Sequence, residues 1–171
     1  YYTFDYSTAE YNPINGIQLT FPDMNNYISS GIEIGFPFPY CGEMYEYVKI
    51  STNGFINPGA TWNDDSPNNQ LEYGIYSIIA PLWDDLSLGE GNLQYATIGS
   101  APNREFWVQY SHARWPYNQF NCYVNFQVVL SENGKIEFHY GNTNGTPVNG
   151  SASIGINMPN AGAGNFFSIT P

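Results

Sequence analysis

Two adjacent carboxylates, Asp84 and Asp85, follow Trp83 at the end of an apolar run. Paired carboxylates with Asn side chains and backbone oxygens nearby suit a hard cation, and calcium is the cofactor they would take. The competing role is structural, with an Asp capping a turn or accepting backbone hydrogen bonds. Asp64 and Asp65, with Asn63 and Asn68, are a second calcium candidate whose simpler reading is a solvated acidic loop. His112 and His139 are the only histidines, and neither His-x-His nor His-x-x-x-His occurs, so zinc-ligand spacing is missing. Cys122 could pair with His139 as an activated nucleophile. Alternation along the chain, however, turns Cys122 inward and His139 outward beside Glu137. A glycosidase needs two carboxyl groups opposed across a cleft, and none of the 15 acids is singled out by its surroundings. The chain reads as non-enzymatic.

The stretch from Arg114 to Asn121 is more informative. Trp115, Tyr117 and Phe120 place three aromatics in six residues, around Pro116, Asn118 and Gln119. Aromatic faces stack on sugar rings or anchor protein contacts, and Arg, Asn and Gln bind the hydroxyls beside them. The expected ligand-binding set is Arg114, Trp115, Tyr117, Asn118 and Phe120, joined by Trp62 if it lies nearby. The alternative is that Trp115 or Phe120 folds back to cap a core. Trp107 should face away from Phe106, Val108 and Tyr110, on the outer surface or under a loop. Asn144-Gly145-Thr146 and Asn149-Gly150-Ser151 match the N-glycosylation sequon.

These residues need elements to hold them, and composition bounds which. The 171 residues suit one domain, residues 1–171, with a core of its own. Charged residues are only 11% and aromatics 18%, a Tyr, Asn, Gly and Ser surface of the kind secreted proteins present to sugars or proteins. Fifteen acids against four bases give a net charge of −11, which repels nucleic-acid backbones and disfavours anionic membrane surfaces. No stretch is apolar enough to span a bilayer. No signal-peptide pattern opens the sequence, which reads as a mature or excised segment. Cys41 and Cys122 are either two buried free thiols or one bridge. A bridge would close a loop of about 80 residues and contribute about 4 kcal/mol in the chain-entropy model.

Period-two alternation recurs throughout, while helical periodicity is almost absent. Cys122, Val124, Phe126, Val128 and Leu130 make one apolar face, with Tyr123, Asn125 and Gln127 on the other. Ile136, Phe138 and Tyr140 repeat the pattern after Ser131-Glu132-Asn133-Gly134, an Asn-Gly hairpin signal. Further strands are expected over 31–37, 46–51, 76–82, 92–98, 105–112, 151–157 and 165–169. Pro81 should mark a strand end or a bulge. Segments 57–72 and 113–121 read as loops at the sandwich edge. The expected fold is all-β, an antiparallel β-sandwich or jelly roll.

The order of motifs resembles a known family. Tyr2-Thr3-Phe4, Ile34-Gly35-Phe36-Pro37-Phe38, Ser51-Thr52-Asn53-Gly54-Phe55 and Ala80-Pro81-Leu82-Trp83-Asp84-Asp85-Leu86 come first. Ala101-Pro102-Asn103-Arg104, Val124 to Leu130, Gly134 to Gly141 and Ser153-Ile154-Gly155-Ile156-Asn157 follow. This order is similar to a β-sandwich module of large secreted Bacteroidota proteins associated with type IX secretion, built as multidomain adhesins or surface enzymes. More distantly it resembles the nidogen-like extracellular domain. The resemblance implies an extracellular or cell-surface, non-catalytic adhesion or accessory module, and it transfers no ligand site. The chain departs from the pattern at Cys41, where Tyr is common, and around Trp115. The expected partner is a polysaccharide or a cell-surface glycan or protein. The alternative is a homo-oligomeric fibre or layer joined through strand addition near the aromatic termini, Tyr1, Tyr2, Phe4, Phe166 and Phe167.

Overall fold

The computed structural model describes residues 2–61, 63, 71, 77–158 and 166–170. Among them lie eleven strands: β1 (Ile17–Leu19), β2 (Ile32–Tyr40), β3 (Glu43–Ile50), β4 (Ile56–Pro58), β5 (Ile78–Trp83), β6 (Asn92–Ile98), β7 (Glu105–Arg114), β8 (Tyr123–Ser131), β9 (Ile136–Tyr140), β10 (Ser153–Asn157) and β11 (Phe166–Ser168). They form two antiparallel sheets packed as a sandwich, β1-β6-β7-β8-β9 against β11-β10-β5-β4-β3-β2. Two meanders, β2 to β5 and β6 to β9, supply most of both sheets. The predicted strands are present, and β1 and β4 are additions too short to show an alternating pattern.

Alternation builds the core. On β2, Ile32, Ile34, Phe36, Phe38 and Tyr40 point inward. They meet Phe106, Val108 and Tyr110 of β7 and Val124, Phe126, Val128 and Leu130 of β8 in one cluster. Burying each such side chain stabilises by about 1.5–3 kcal/mol. Tyr110 brings a hydroxyl into this core and donates it to Ser51 O at 2.7 Å. β5 is buried along its whole length. Pro81, which has no N–H to give, sits where the β5–β10 register slips, between the Ala80↔Gly155 and Trp83↔Ser153 pairs.

The two Ser-x-Asn-Gly segments fold alike. In Ser131–Lys135 the Gly134 amide donates to Ser131 O at 2.8 Å, and Ser131 N donates to Lys135 O at 2.9 Å. In Ser51–Phe55 the equivalent bonds are 3.3 and 3.0 Å. Only the glycine of each Asn-Gly pair has positive φ, +79° at Gly54 and +89° at Gly134. These are three-residue loops with a glycine bulge, rather than two-residue turns with both residues left-handed. The two-residue turn is at Cys41-Gly42, where φ is 52° and 89° and Tyr40 faces Glu43 across the hairpin.

The sheets cross steeply. β2 runs across one end of the five-stranded sheet: Ile34 O accepts from Thr97 Oγ1, Gly35 O accepts from Arg104 Nη1, and Pro39 lies against Gly134. The chain from Pro81 to Gly91 runs across the other end. There Pro81 O accepts from Tyr140 Oη, Ser87 exchanges backbone bonds with Arg114, and Gly91 abuts Ser111 and His112. This second crossing brings Asp84, Asp85 and Glu90 beside the loop that follows β7.

The outer face of the five-stranded sheet carries an amide row. Gln18, Gln94, Gln109, Gln127 and His139 are register partners across all five strands. Residues 11–16 cross over this row. Gln127 Nε2 donates to Asn12 O at 2.9 Å, Ile14 N donates to Gln109 Oε1 at 2.8 Å, and Tyr11 rests on Gly141. Under this strap Gln127 is fully buried.

Candidate functional site

The site grows from a defect in β7. Tyr110 pairs with Phe126 and Ala113 with Val124, so Ser111 and His112 together oppose Asn125. His112 takes φ 54° in this bulge, and its N–H donates to Asn125 Oδ1 at 2.8 Å. A bulge bends and twists a strand end, and here it re-aims the residues from His112 to the end of β7. Arg114 then pairs with Ser87, and Trp115 N donates to Cys122 O at 3.1 Å to close the loop.

Trp115 turns inward. It packs on the core, its Nε1 donates to Asp84 Oδ2 at 2.7 Å, and Gly150 sits so close that a Cβ there would come within 2.7 Å of the ring. Trp115 thus takes the alternative place the sequence allowed, half-buried against the core where it plugs the loop. Asp84 is buried and accepts more: Ser151 N at 2.8 Å, Ser151 Oγ at 3.3 Å and Asp85 N at 2.8 Å. Donors thus occupy both oxygens. The arrangement makes Asp84 the junction of β5, the β7–β8 loop and the approach to β10, which is the structural role. Asp85 keeps one buried oxygen, Oδ1, without a protein partner. Burial, then the Asp84 charge, raises its carboxyl above the usual range. No group of three or more His, Cys, Asp or Glu among the described residues could hold a metal ion.

The other loop residues stay outside. Tyr117 N is held by Asp85 O at 2.8 Å, its ring is exposed, and Asn118 is exposed at the tip. Phe120 is 65% exposed, with the Arg114 guanidinium 4.3 Å from its ring centroid. Arg114 is itself fixed: Nη2 meets Glu90 Oε1 at 2.9 Å and Nη1 donates to Tyr117 O at 3.3 Å. Tyr123 Oη donates to Glu90 Oε2 at 2.7 Å, and the His112 ring stacks on Tyr123 at 3.7 Å. Phe120, Arg114, Glu90, Tyr123 and His112 thus form one continuous line of side chains over the loop end. The Tyr123 bond, then Arg114, holds Glu90 below the usual carboxylate range, and Glu90 in turn raises the Tyr123 phenol.

Arg114, Tyr117, Asn118 and Phe120 were legible as candidates; Glu90, Tyr123 and His112 were not. Gly89-Glu90-Gly91 reads only as a turn. Its signal is steric: a Cβ on Gly91 would lie 2.2 Å from Ser111 O, so this glycine lets the turn press against the bulge and deliver Glu90 to Arg114. Trp62, Asp64, Asp65 and Asn68 lie outside the described residues. Asn63 is exposed and accepts from Lys49 Nζ. Trp107 is half-buried on the outer face, its Nε1 bound to Glu105 and its ring edge-on to His139.

The cysteines are both free, which excludes the bridge in this structure. Cys41 lies in the β2–β3 turn, at the end where Pro39 touches Gly134. Cys122 precedes β8 at the opposite end. Nine-residue β8, about 30 Å long, separates those ends, whereas a disulfide needs Cα atoms within about 7 Å.

Fold and rim together define an antiparallel β-sandwich module whose exposed chemistry gathers at one loop-bearing end. The family model described as NIDO related matches residues 1–171, and the chain belongs to that family. Domains of this kind are typically extracellular. No curated protein and no solved structure matches the chain.

Proposed function

We propose that this chain is a non-catalytic extracellular binding module that docks a cell-surface or matrix polysaccharide through the line from Phe120 to His112. The observation that carries the reading is Phe120. A large aromatic ring is left mostly in water while the loop beneath it is fixed by Trp115–Asp84 and Arg114–Glu90. With the guanidinium on one face of the ring, the exposed area falls on the other face and the edges. A rigid, exposed aromatic on a pre-formed frame loses little entropy on binding. The resemblance to modules of large secreted Bacteroidota proteins supports a place within such a protein. Retention on immobilised polysaccharides tests the reading. Phe120→Ala should abolish or weaken retention with the melting temperature unchanged, and retention equal to the parent's would sink the proposal.

Self-association is the second reading. It is favoured by β11, an edge strand whose Phe166 and Phe167 are exposed beside Phe4, with Phe4 and Phe167 rings 6.0 Å apart. Light scattering that rises with concentration, and falls in Phe167→Lys, would support it.

A further inference from the structure

We infer that the glycan this rim binds is neutral and hydroxyl-rich, with Glu90 accepting its hydroxyl protons and the Phe120 and His112 rings supporting its apolar C–H faces; the inference rests on the binding role proposed above. It follows from what the side chains have left to offer. Arg114 is the only cation in the line, and its guanidinium is turned into the protein, with Nε buried and unpartnered. Nη2 is on Glu90, Nη1 is on Tyr117 O, the guanidinium face lies on Phe120, and the side chain is only 12% exposed. A ligand carboxylate or sulfate would find no exposed guanidinium fork. Glu90 is the reverse case. Its side chain is 55% exposed, and each oxygen carries one protein donor, Tyr123 on Oε2 and Arg114 on Oε1. A carboxylate oxygen offers about two lone-pair sites, so each retains room for a donor from outside.

Geometry fixes that acceptor in place. Tyr123 and Arg114 hold Glu90 from both sides, so it need not be ordered on binding. Phe120 lies at one end of the line and His112 at the other, each attached through its neighbour to the same carboxylate. An acceptor between two rings is complementary to a pyranose chain that carries hydroxyl donors on its rim and axial C–H groups on its face. The chain's net charge of −11 further disfavours anionic polymers.

The test is affinity electrophoresis of the parent, Phe120→Ala and Glu90→Gln through gels holding neutral polysaccharides (laminarin, mannan, xylan) or acidic ones (alginate, heparin). Circular dichroism confirms that each variant folds. The expected result is retardation by a neutral polymer, little changed by salt because no ion pair forms. Phe120→Ala should weaken it about tenfold, and Glu90→Gln, which removes the charge from the acceptor, should weaken it severalfold. Retardation by alginate or heparin that tightens in Glu90→Gln would overturn the neutral-glycan inference. It would leave the rim reading intact if Phe120→Ala still weakened it. Retardation indifferent to Phe120→Ala would overturn the rim reading itself, and no retardation by any polymer would overturn both.

Discussion

The indole Nε1 of Trp115 donates to Asp84 Oδ2 at 2.7 Å, so a residue that looks like a sugar platform and one that looks like a calcium ligand satisfy each other inside the protein. Removing the carboxylate would strand the indole N–H and the Ser151 amide together. Asp84→Ala is expected to cost about 3 kcal/mol, because each buried donor left unpaired costs about 1–3 kcal/mol. Urea unfolding measures it. With its oxygens already filled by donors, Asp84 should also be indifferent to calcium. Calcium chloride and chelator should give the same melting temperature, and a rise of several degrees with calcium would contradict this assignment.

Asp85 sets a pH dependence of opposite sign to the usual carboxylate. Burial, then Asp84, raises its folded-state pKa above the unfolded value. Stability from this group is therefore full below the unfolded carboxylate pKa and declines as pH rises through the folded one. Asp85→Asn should raise the melting temperature at pH 7 and do little at pH 3.5. Glu90 acts the other way, since its folded pKa is lowered. Its contribution is present above the unfolded pKa and fades as pH falls, and as an exposed group its effect is small. Thermal melts of the two single variants across pH 3–8 separate them.

The Ser-x-Asn-Gly turns give a matched pair of glycine tests. A Cβ on Gly54 would sit 1.9 Å from Leu82 O, a backbone atom that cannot move aside, and φ there is +79°. Gly54→Ala should cost about 3 kcal/mol or more, combining left-handed strain with overpacking. Gly134 has φ +89°, but its nearest neighbour is Pro39 Cγ at 3.0 Å. Gly134→Ala should cost about 1–2 kcal/mol, mostly the strain alone. Equal costs would mean that the packing of Gly54 on β5 contributes nothing.

That pair also shows what the chain's pattern could and could not reveal. Alternation announced Cys122 to Leu130 as a face, because a buried sheet face repeats every second residue. It could not reveal that Ser51–Phe55 docks on Leu82 to Leu86, with Asn53 O and Oδ1 accepting from Asp84 N and Leu86 N. Two segments that carry the family resemblance, Ser-Thr-Asn-Gly-Phe and Ala-Pro-Leu-Trp-Asp-Asp-Leu, thus lock to each other, a structural role that involves no ligand. At the rim, Phe120 was legible because an aromatic in a polar loop is unusual. Glu90 was not, since its place depends on a bulge and on a chain crossing that no local pattern encodes.

The free thiols predict selective alkylation. Cys41 is half-exposed in its turn and Cys122 is buried, and burial raises both thiols above their ordinary pKa. Iodoacetamide at pH 8 should label Cys41 slowly and Cys122 only after unfolding, as read by mass spectrometry. Reductant should leave the melting temperature unchanged. Recovery of a Cys41–Cys122 peptide from digested protein would contradict the placement of the two residues at opposite ends.

The amide row makes the strap its hostage. Gln109 Oε1 accepts both from Ile14 N at 2.8 Å and from Gln127 Nε2 at 2.8 Å, and Gln127 Nε2 donates also to Asn12 O. Because both protons of Gln127 Nε2 are spent on those acceptors, Gln127 Oε1 is left to accept from His139 Nδ1 at 3.3 Å, which places a proton on Nδ1. Gln109→Ala removes an acceptor from beneath the strap while leaving the inner core untouched. Its cost should be about 1–2 kcal/mol. Hydrogen exchange at the Ile14 amide should speed up well beyond that at Val108 or Val128, whose strands stay paired. Uniform acceleration across β7 and β8 would mean instead that strap and sheet unfold as one unit.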